Sequence, residues 1–195
     1  MMVNGINMEL KLIPKKDLKE VWKLHKEYVD DKMKLKELKE TYSKLSKLFV
    51  GCYNKDDLIG ICVPGIFNGE LYIRGIAVKH QFWRKGIGSK LLKFFWKQLK
   101  SLGKKEITVP SADIEWVEKF YLKNEYKPIQ FLIKVKKEKL PKDYKNKGYK
   151  ILNERVEGKY KIFYIKTKKY DPKLREKLKM LFNADELIYI MEKKL

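Results

Sequence analysis

Cysteine, arginine, glutamine and alanine are all scarce in this chain of 195 residues. Cys52 and Cys62 are the only cysteines, too few for a disulfide scaffold and without the spacing of a zinc site. No apolar run approaches the ~18 residues of a membrane span. The opening residues 1–7 lack the basic and apolar regions of a signal peptide. Together these absences predict a cytoplasmic protein with free thiols, no metal and no membrane segment. Low hydrophobicity, the mark of disorder, is missing as well. Apolar residues make up 44% and aromatics 13%, ordinary for a chain that buries a core, and the length suits one domain, or one domain plus a small appendage.

Lysine is what the chain has in excess. Its 46 basic and 25 acidic residues give a net charge of +21. A polyanion partner such as RNA is the direct reading. Arginine, whose fork suits phosphates and bases, is restricted to Arg74, Arg84, Arg155 and Arg175. The charge is also spread along the whole chain. A Lys-rich, Gln-poor composition fits a heat-adapted or compositionally biased proteome, and that reading outweighs a dedicated nucleic-acid site.

Residues 8–13 alternate as a short strand ended by Pro14. Helical spacing follows over 17–31 and 35–48, with Trp22, Tyr28 and Tyr42 as core residues or pocket walls. His25 and His80 are isolated and read as ordinary helix and loop residues. Apolar runs around the turn at 54–57 predict a hairpin in which Cys52 opposes Ile59. Another strand covers 70–78, and Glu70 shares its side-chain parity with Arg74. The clearest helix runs over 86–102, with Ile87, Leu91, Leu92, Phe94, Phe95, Leu99 and Leu102 on its apolar face. A strand (106–109), a helix (114–123) capped by Ser111 or Asp113, and a strand (126–135) complete a domain of residues 1–137. Residues 138–148 read as a linker. Residues 149–195 read as a small ββαβ appendage whose helix starts at Pro172 behind an Asp171 cap.

Chemistry concentrates in Gly75-Ile76-Ala77-Val78 and the following loop, Trp83-Arg84-Lys85-Gly86-Ile87-Gly88-Ser89. A strand enters a basic, glycine-containing loop that opens a long helix. The first turn of that helix offers free N–H groups and the positive end of the dipole. Such a loop can wrap a phosphate. The spacing is neither a Walker A loop nor the three-glycine dinucleotide fingerprint.

Taken whole, the stretch resembles the acyl-CoA motif of the GNAT superfamily of N-acetyltransferases, with Trp83 standing where the family has Arg or Gln. The segment Trp116-Val117-Glu118-Lys119-Phe120-Tyr121 through Pro128 is similar to the family's second motif, with Val117, Glu125 and Tyr126 as departures. The resemblance covers about residues 8–137. It implies an α+β GNAT fold: a mixed, mostly antiparallel central sheet flanked by helices, here with the C-terminal appendage.

The resemblance also implies roles. The backbone of Ile76, Ala77 and Val78 would hold the pantetheine arm of acetyl-CoA. The N–H groups of Arg84, Lys85, Gly86, Ile87, Gly88 and Ser89 would cradle its pyrophosphate. Tyr121 would protonate the departing thiolate. Where many relatives place a basic Glu, this chain has Arg74, which could instead hold an acidic group of the substrate. Glu115 or a water chain would then supply the base. The implied activity is acetyl transfer to a primary amine, on a small molecule or a protein. The alternatives are a basic nucleic-acid- or ribosome-associated protein on the same scaffold, or a CoA-binding module without catalysis.

Overall fold

The computed structural model describes Met2–Val3 and residues 6–195. Met1, Asn4 and Gly5, part of the opening stretch read for a leader, lie outside the described residues. The chain divides into two compact units, one running up to Ile107 and including Leu195, the other Thr108–Lys194.

The first unit is an antiparallel meander. β1 (Met2–Val3), β2 (Ile6–Leu12), β3 (Val50–Asn54), β4 (Asp57–Phe67) and β5 (Glu70–Val78) lie side by side in chain order. α1 (Leu18–Tyr28) and α2 (Leu35–Leu45) bury Leu18, Val21, Leu24 and Leu38 in a core shared with Phe49, Ile61, Val63 and Ala77. Trp22, Tyr28 and Tyr42 pack against that core, so the aromatic residues of these helices are largely structural. Trp22 Nε1 donates to the Met33 carbonyl at 2.8 Å and the Tyr42 hydroxyl to that of Ile13 at 2.9 Å. α3 (Ile87–Ser101) buries Ile87, Leu91, Leu92, Phe95 and Leu99 of the predicted face, while Phe94 is half-buried, Leu102 just past the helix is exposed, and Lys93, Lys97 and Lys100 lie in water.

Two bulges depart from the expected registers. Cys52 faces Gly60 rather than Ile59, because the ladder shifts between Cys52 and Tyr53. Both thiols are nevertheless free, as expected, and both are buried. Burial pushes the Cys52 thiol up to about 11 and that of Cys62 higher still. The second bulge lies in β5, where Val63 pairs with Gly75 and Pro64 with Ile73. Arg74 is the extra residue, and the parity argument that linked it to Glu70 is interrupted there.

The second unit contains β7 (Lys127–Lys136), β8 (Ile151–Glu157), β9 (Tyr160–Lys166) and β10 (Glu186–Lys194), together with α4 (Glu115–Lys123) and α5 (Pro172–Leu181). The division falls within β6 (Glu106–Pro110). The strand order is β6-β10-β7-β9-β8. The predicted ββαβ order of the C-terminal segment is present as β8, β9, α5 and β10. Asp171 caps α5 by accepting from the Leu174 N–H at 2.9 Å. α4 differs from expectation: Ile114 occupies its N-cap and no side chain caps it. Asp113 turns instead to Lys179 at 2.6 Å, while the Ser111 hydroxyl accepts from the Tyr189 N–H at 3.1 Å. Residues 138–148 carry a short 3-10 turn, Tyr144–Asn146, and the Tyr144 hydroxyl donates to Glu154 at 2.7 Å.

β10 is an interior strand. It pairs with β7 over Glu186 to Glu192 and lies beside β6 on its other edge. Leu187, Ile188, Tyr189 and Met191 are all buried, the near-continuous apolar run of a strand covered on both faces. Ending the chain at Asp185 removes four buried side chains, on the order of 10 kcal/mol of apolar burial. The shortened protein is expected to lose order in residues 108–185, seen as rapid proteolysis of that segment.

Candidate functional site

The predicted phosphate loop begins where β5 ends. A short 3-10 turn, His80–Phe82, leads into Trp83, and α3 starts at Ile87. Arg84 and Gly86 both adopt left-handed backbone conformations, at φ 59° and 75°. Glycine accepts that geometry freely, whereas arginine is strained by it, a feature that clusters at ligand sites. The two left-handed residues flank Lys85, and the second of them is the N-cap of α3. No acceptor among the described residues takes the N–H groups of Ile87, Gly88 or Ser89, and no side chain caps the helix. A Cβ added at Gly86 would meet nothing within 4 Å, so the loop has open space beside it. Arg84 is exposed, and Lys85, Ser89 and Lys90 are half-buried beside it. An anion of phosphate type fits this donor set, its charge matched by the helix dipole and the cations.

Trp83 is a residue whose part the sequence did not reveal. Its indole N–H donates to the Val78 carbonyl at 2.5 Å, and its ring meets His80 edge-on at a 4.7 Å centroid distance. One lone pair of the Val78 carbonyl is therefore already engaged, leaving the other for a ligand. Ile76, Ala77 and Val78 pair with Cys62, Ile61 and Gly60 across β4.

Arg74 and Glu37 form an ion pair at 2.6 Å between β5 and α2. His25 lies next to them on α1, fully buried, with neither ring nitrogen hydrogen-bonded. A Cβ built at Gly75 would lie 2.7 Å from Val29 Cγ1 and 3.0 Å from His25 Nε2, so β5 is pressed against α1 at this point. Burial, and then the Arg74 charge, lower the His25 imidazole from 6.5 to about 4. The unfolded chain takes up a proton below the ordinary value that the folded chain refuses until about 4. Stability is thus unaffected by this group above pH 6.5, declines as pH falls through the window, and is lower by ~3 kcal/mol once the window is crossed. His25→Leu is expected to flatten that decline, measured by urea unfolding at about pH 5 and about pH 8.

Tyr121 belongs to the second unit, on α4. It is buried, with its ring edge-on to Phe120 at 5.2 Å and to Tyr126 at 5.4 Å. Glu115 opens the same helix but is exposed and bridged to Lys119 at 2.7 Å, which holds its carboxyl below the usual range and weakens it as a base. Glu118, one turn before Tyr121, is fully buried. It accepts from the Tyr170 hydroxyl at 2.9 Å and pairs with Arg175 of α5. Its polar partners lie 52 and 57 residues away, so no local spacing could reveal them.

Acidic residues also collect where the overall charge gives no hint of them. Asp17, Glu20, Glu27, Asp56 and Asp57, with Lys23 and Lys79, line a hollow of about 280 Å³ in the first unit. A larger hollow, about 450 Å³, runs along β8 and contains none of the predicted site residues.

Comparisons with known proteins bear on the fold and the family. No curated protein matches the chain. Ard1 from Thermoplasma volcanium is 14% identical, with a TM-score of 0.57 over 84% of this chain and 99% of that one. Arabidopsis thaliana Naa50, solved with a bisubstrate analogue CoA-Ac-MVNAL, is 16% identical over 82% and 97%, with a TM-score of 0.53. The ribosomal-protein-S18-alanine N-acetyltransferase of Escherichia coli is 11% identical over 85% and 96%, again at 0.53. These likenesses establish a mixed, mostly antiparallel α+β fold shared with GNAT structures. The family model of the acetyltransferase (GNAT) domain matches residues 45–128, which span the loop and the Tyr121 helix. The motifs and the fold agree with this match, which makes residues 45–128 similar to a GNAT acetyltransferase domain.

Proposed function

We propose that the protein is an N-acetyltransferase that moves an acetyl group from acetyl-CoA to a primary amine by direct attack in a ternary complex. The observation that carries this reading is the loop of left-handed Arg84 and Gly86, with unclaimed N–H groups at Ile87, Gly88 and Ser89. Acetyl-CoA supplies the activated thioester. The backbone of Ile76, Ala77 and Val78 holds its pantetheine arm, the N–H groups from Arg84 to Ser89 hold its pyrophosphate, and the Arg84 and Lys85 side chains balance the charge. The neutral amine nitrogen bonds to the acetyl carbon as the C–S bond breaks, and the proton that the nitrogen sheds passes through a water chain to solvent. The Tyr121 phenol gives its proton to the departing sulfur and regains one from solvent. Arg74 holds an acidic group of the acceptor. Cys52 and Cys62 are buried and protonated and take no part.

Residues 1–137 supply the acetyltransferase domain in this reading, with 138–148 as a linker and 149–195 as the appendage. The Naa50 and S18-alanine neighbours support an amine on a peptide or protein as one class of acceptor. Two free thiols favour a reducing, cytoplasmic setting. Among the described residues no helix is long and apolar enough to cross a membrane.

Calorimetric titration of the stripped protein with acetyl-CoA, and separately with CoA, tests the reading. Micromolar binding, followed by thiol release with an amine, is expected. Absence of binding to the folded protein overturns it. Salt-dependent RNA binding would then favour the nucleic-acid alternative.

A further inference from the structure

Arg74 is held in an unusual way. As the extra residue of a bulge it has no partner on β4, and Pro64 opposite has no N–H with which to close the ladder. Regular alternation would put Gly75, but not Arg74, on the face that α1 covers. Yet Arg74 reaches α2, where its guanidinium meets Glu37 at 2.6 Å. Bulges re-aim side chains in this way beside functional sites. The Arg74 side chain is 19% exposed and that of Glu37 48%, so the pair sits at a rim, partly sheltered and partly open. Buried beneath it, His25 has two unpartnered ring nitrogens. In a chain this rich in lysine, one of only four arginines stands here, and its fork matches a carboxylate.

Resting on the acetyltransferase reading above, we infer that the Arg74–Glu37 pair is a clasp for a zwitterionic acceptor, an α-amino carboxylate. The acceptor's carboxylate replaces Glu37 on the Arg74 guanidinium, and its ammonium replaces Arg74 on the Glu37 carboxylate. An amine without an acidic group satisfies only Glu37 and leaves a partly buried guanidinium without a counter-ion. An anion without an amine does the reverse. A zwitterion exchanges one ion pair for two and leaves the net charge of the site unchanged, so neither group is stranded. Opening the resting pair is cheap because one side of it already faces water. The overall charge of +21 plays no part in this selectivity, which comes from one local pair of opposite charges.

The test compares the common α-amino acids with their α-amides, which keep the amine and neutralise the carboxylate. Thiol release is read for each matched pair, and acetyl-CoA binding is measured in parallel. At least one amino acid is expected to be acetylated with kcat/KM tenfold or more above that of its amide. In Arg74→Gln that preference is expected to collapse through a rise in KM, with acetyl-CoA affinity unchanged. The exchange Arg74→Glu/Glu37→Arg preserves an ion pair between α2 and β5. It is expected to fold and bind acetyl-CoA yet lose at least tenfold in turnover.

Wild-type kinetics in the exchanged protein would make the pair a tether only and overturn the inference. So would amides that react as well as the acids, or acetyl-CoA binding with no amino acid consumed. Failure to bind acetyl-CoA is a different result, and it removes the acetyltransferase reading itself.

Discussion

Arg175→Met is expected to lower the unfolding free energy by about 3–5 kcal/mol. Glu118 is fully buried, and its carboxylate is met by the Arg175 guanidinium and by the Tyr170 hydroxyl at 2.9 Å. Removing the guanidinium strands a negative charge in a setting that cannot solvate it. Asp113, 3.5 Å from the same guanidinium, keeps Lys179 at 2.6 Å and is hurt less. The size of the loss comes from the unpaired charge rather than from the worth of the bridge. Glu118→Gln/Arg175→Met is therefore expected to recover most of it, because a neutral amide can still accept from Tyr170. Urea unfolding of the wild type and the two variants decides the matter. Equal losses in the single and double variants would show that packing of the Arg175 side chain, not charge, is responsible.

The second large effect concerns the loop. Gly86→Glu is expected to weaken acetyl-CoA binding by about 100-fold, close to 2.7 kcal/mol. Gly86 sits at φ 75°, where any Cβ adds strain, and the new carboxylate would face the pyrophosphate across open space. Gly88→Glu acts in the first turn of α3 by the same repulsion. Gly103→Glu is the control. It carries a similar φ of 71° with nothing within 4 Å of its Cβ position, but it follows the other end of α3. It is expected to lose some stability and keep its acetyl-CoA affinity. Equal losses of affinity at both glycines would attribute the effect to helix stability and remove the phosphate-loop argument.

Much of the fold was legible because its signals are local. The stripe from Ile87 to Leu99 follows the helical period, so the burial of α3 could be read from spacing alone. Asp171 and Pro172 mark the start of α5 by chemistry confined to one turn. The glycines and cations of the loop suggest an anion site in the same local way, and two ordered motifs pointed to the fold. The cap assigned to α4 was wrong for an instructive reason. Ser111 and Asp113 are good capping residues, but tertiary partners, the Tyr189 N–H and Lys179, claim both. His25 read as an ordinary helix residue, because nothing in its neighbourhood along the chain announces that β5 closes over it.

The sequence by itself determined most of the elements, the free thiols and the mixed α+β fold, since each depends on residues a few positions apart or on backbone constraints of single residues. Only the tertiary structure decided that Arg74 leaves the ladder to meet Glu37, that Trp83 turns back on the Val78 carbonyl, that Glu118 finds Arg175, and that β10 enters between β6 and β7. The long-range pairings among these join residues that the chain separates by tens of positions. Trp83 and Val78 are close in sequence, yet their bond requires the loop to be folded first. Register, bulges and buried charge partners are chosen by the energy of the assembled core, and that energy is not present in any short stretch of the chain.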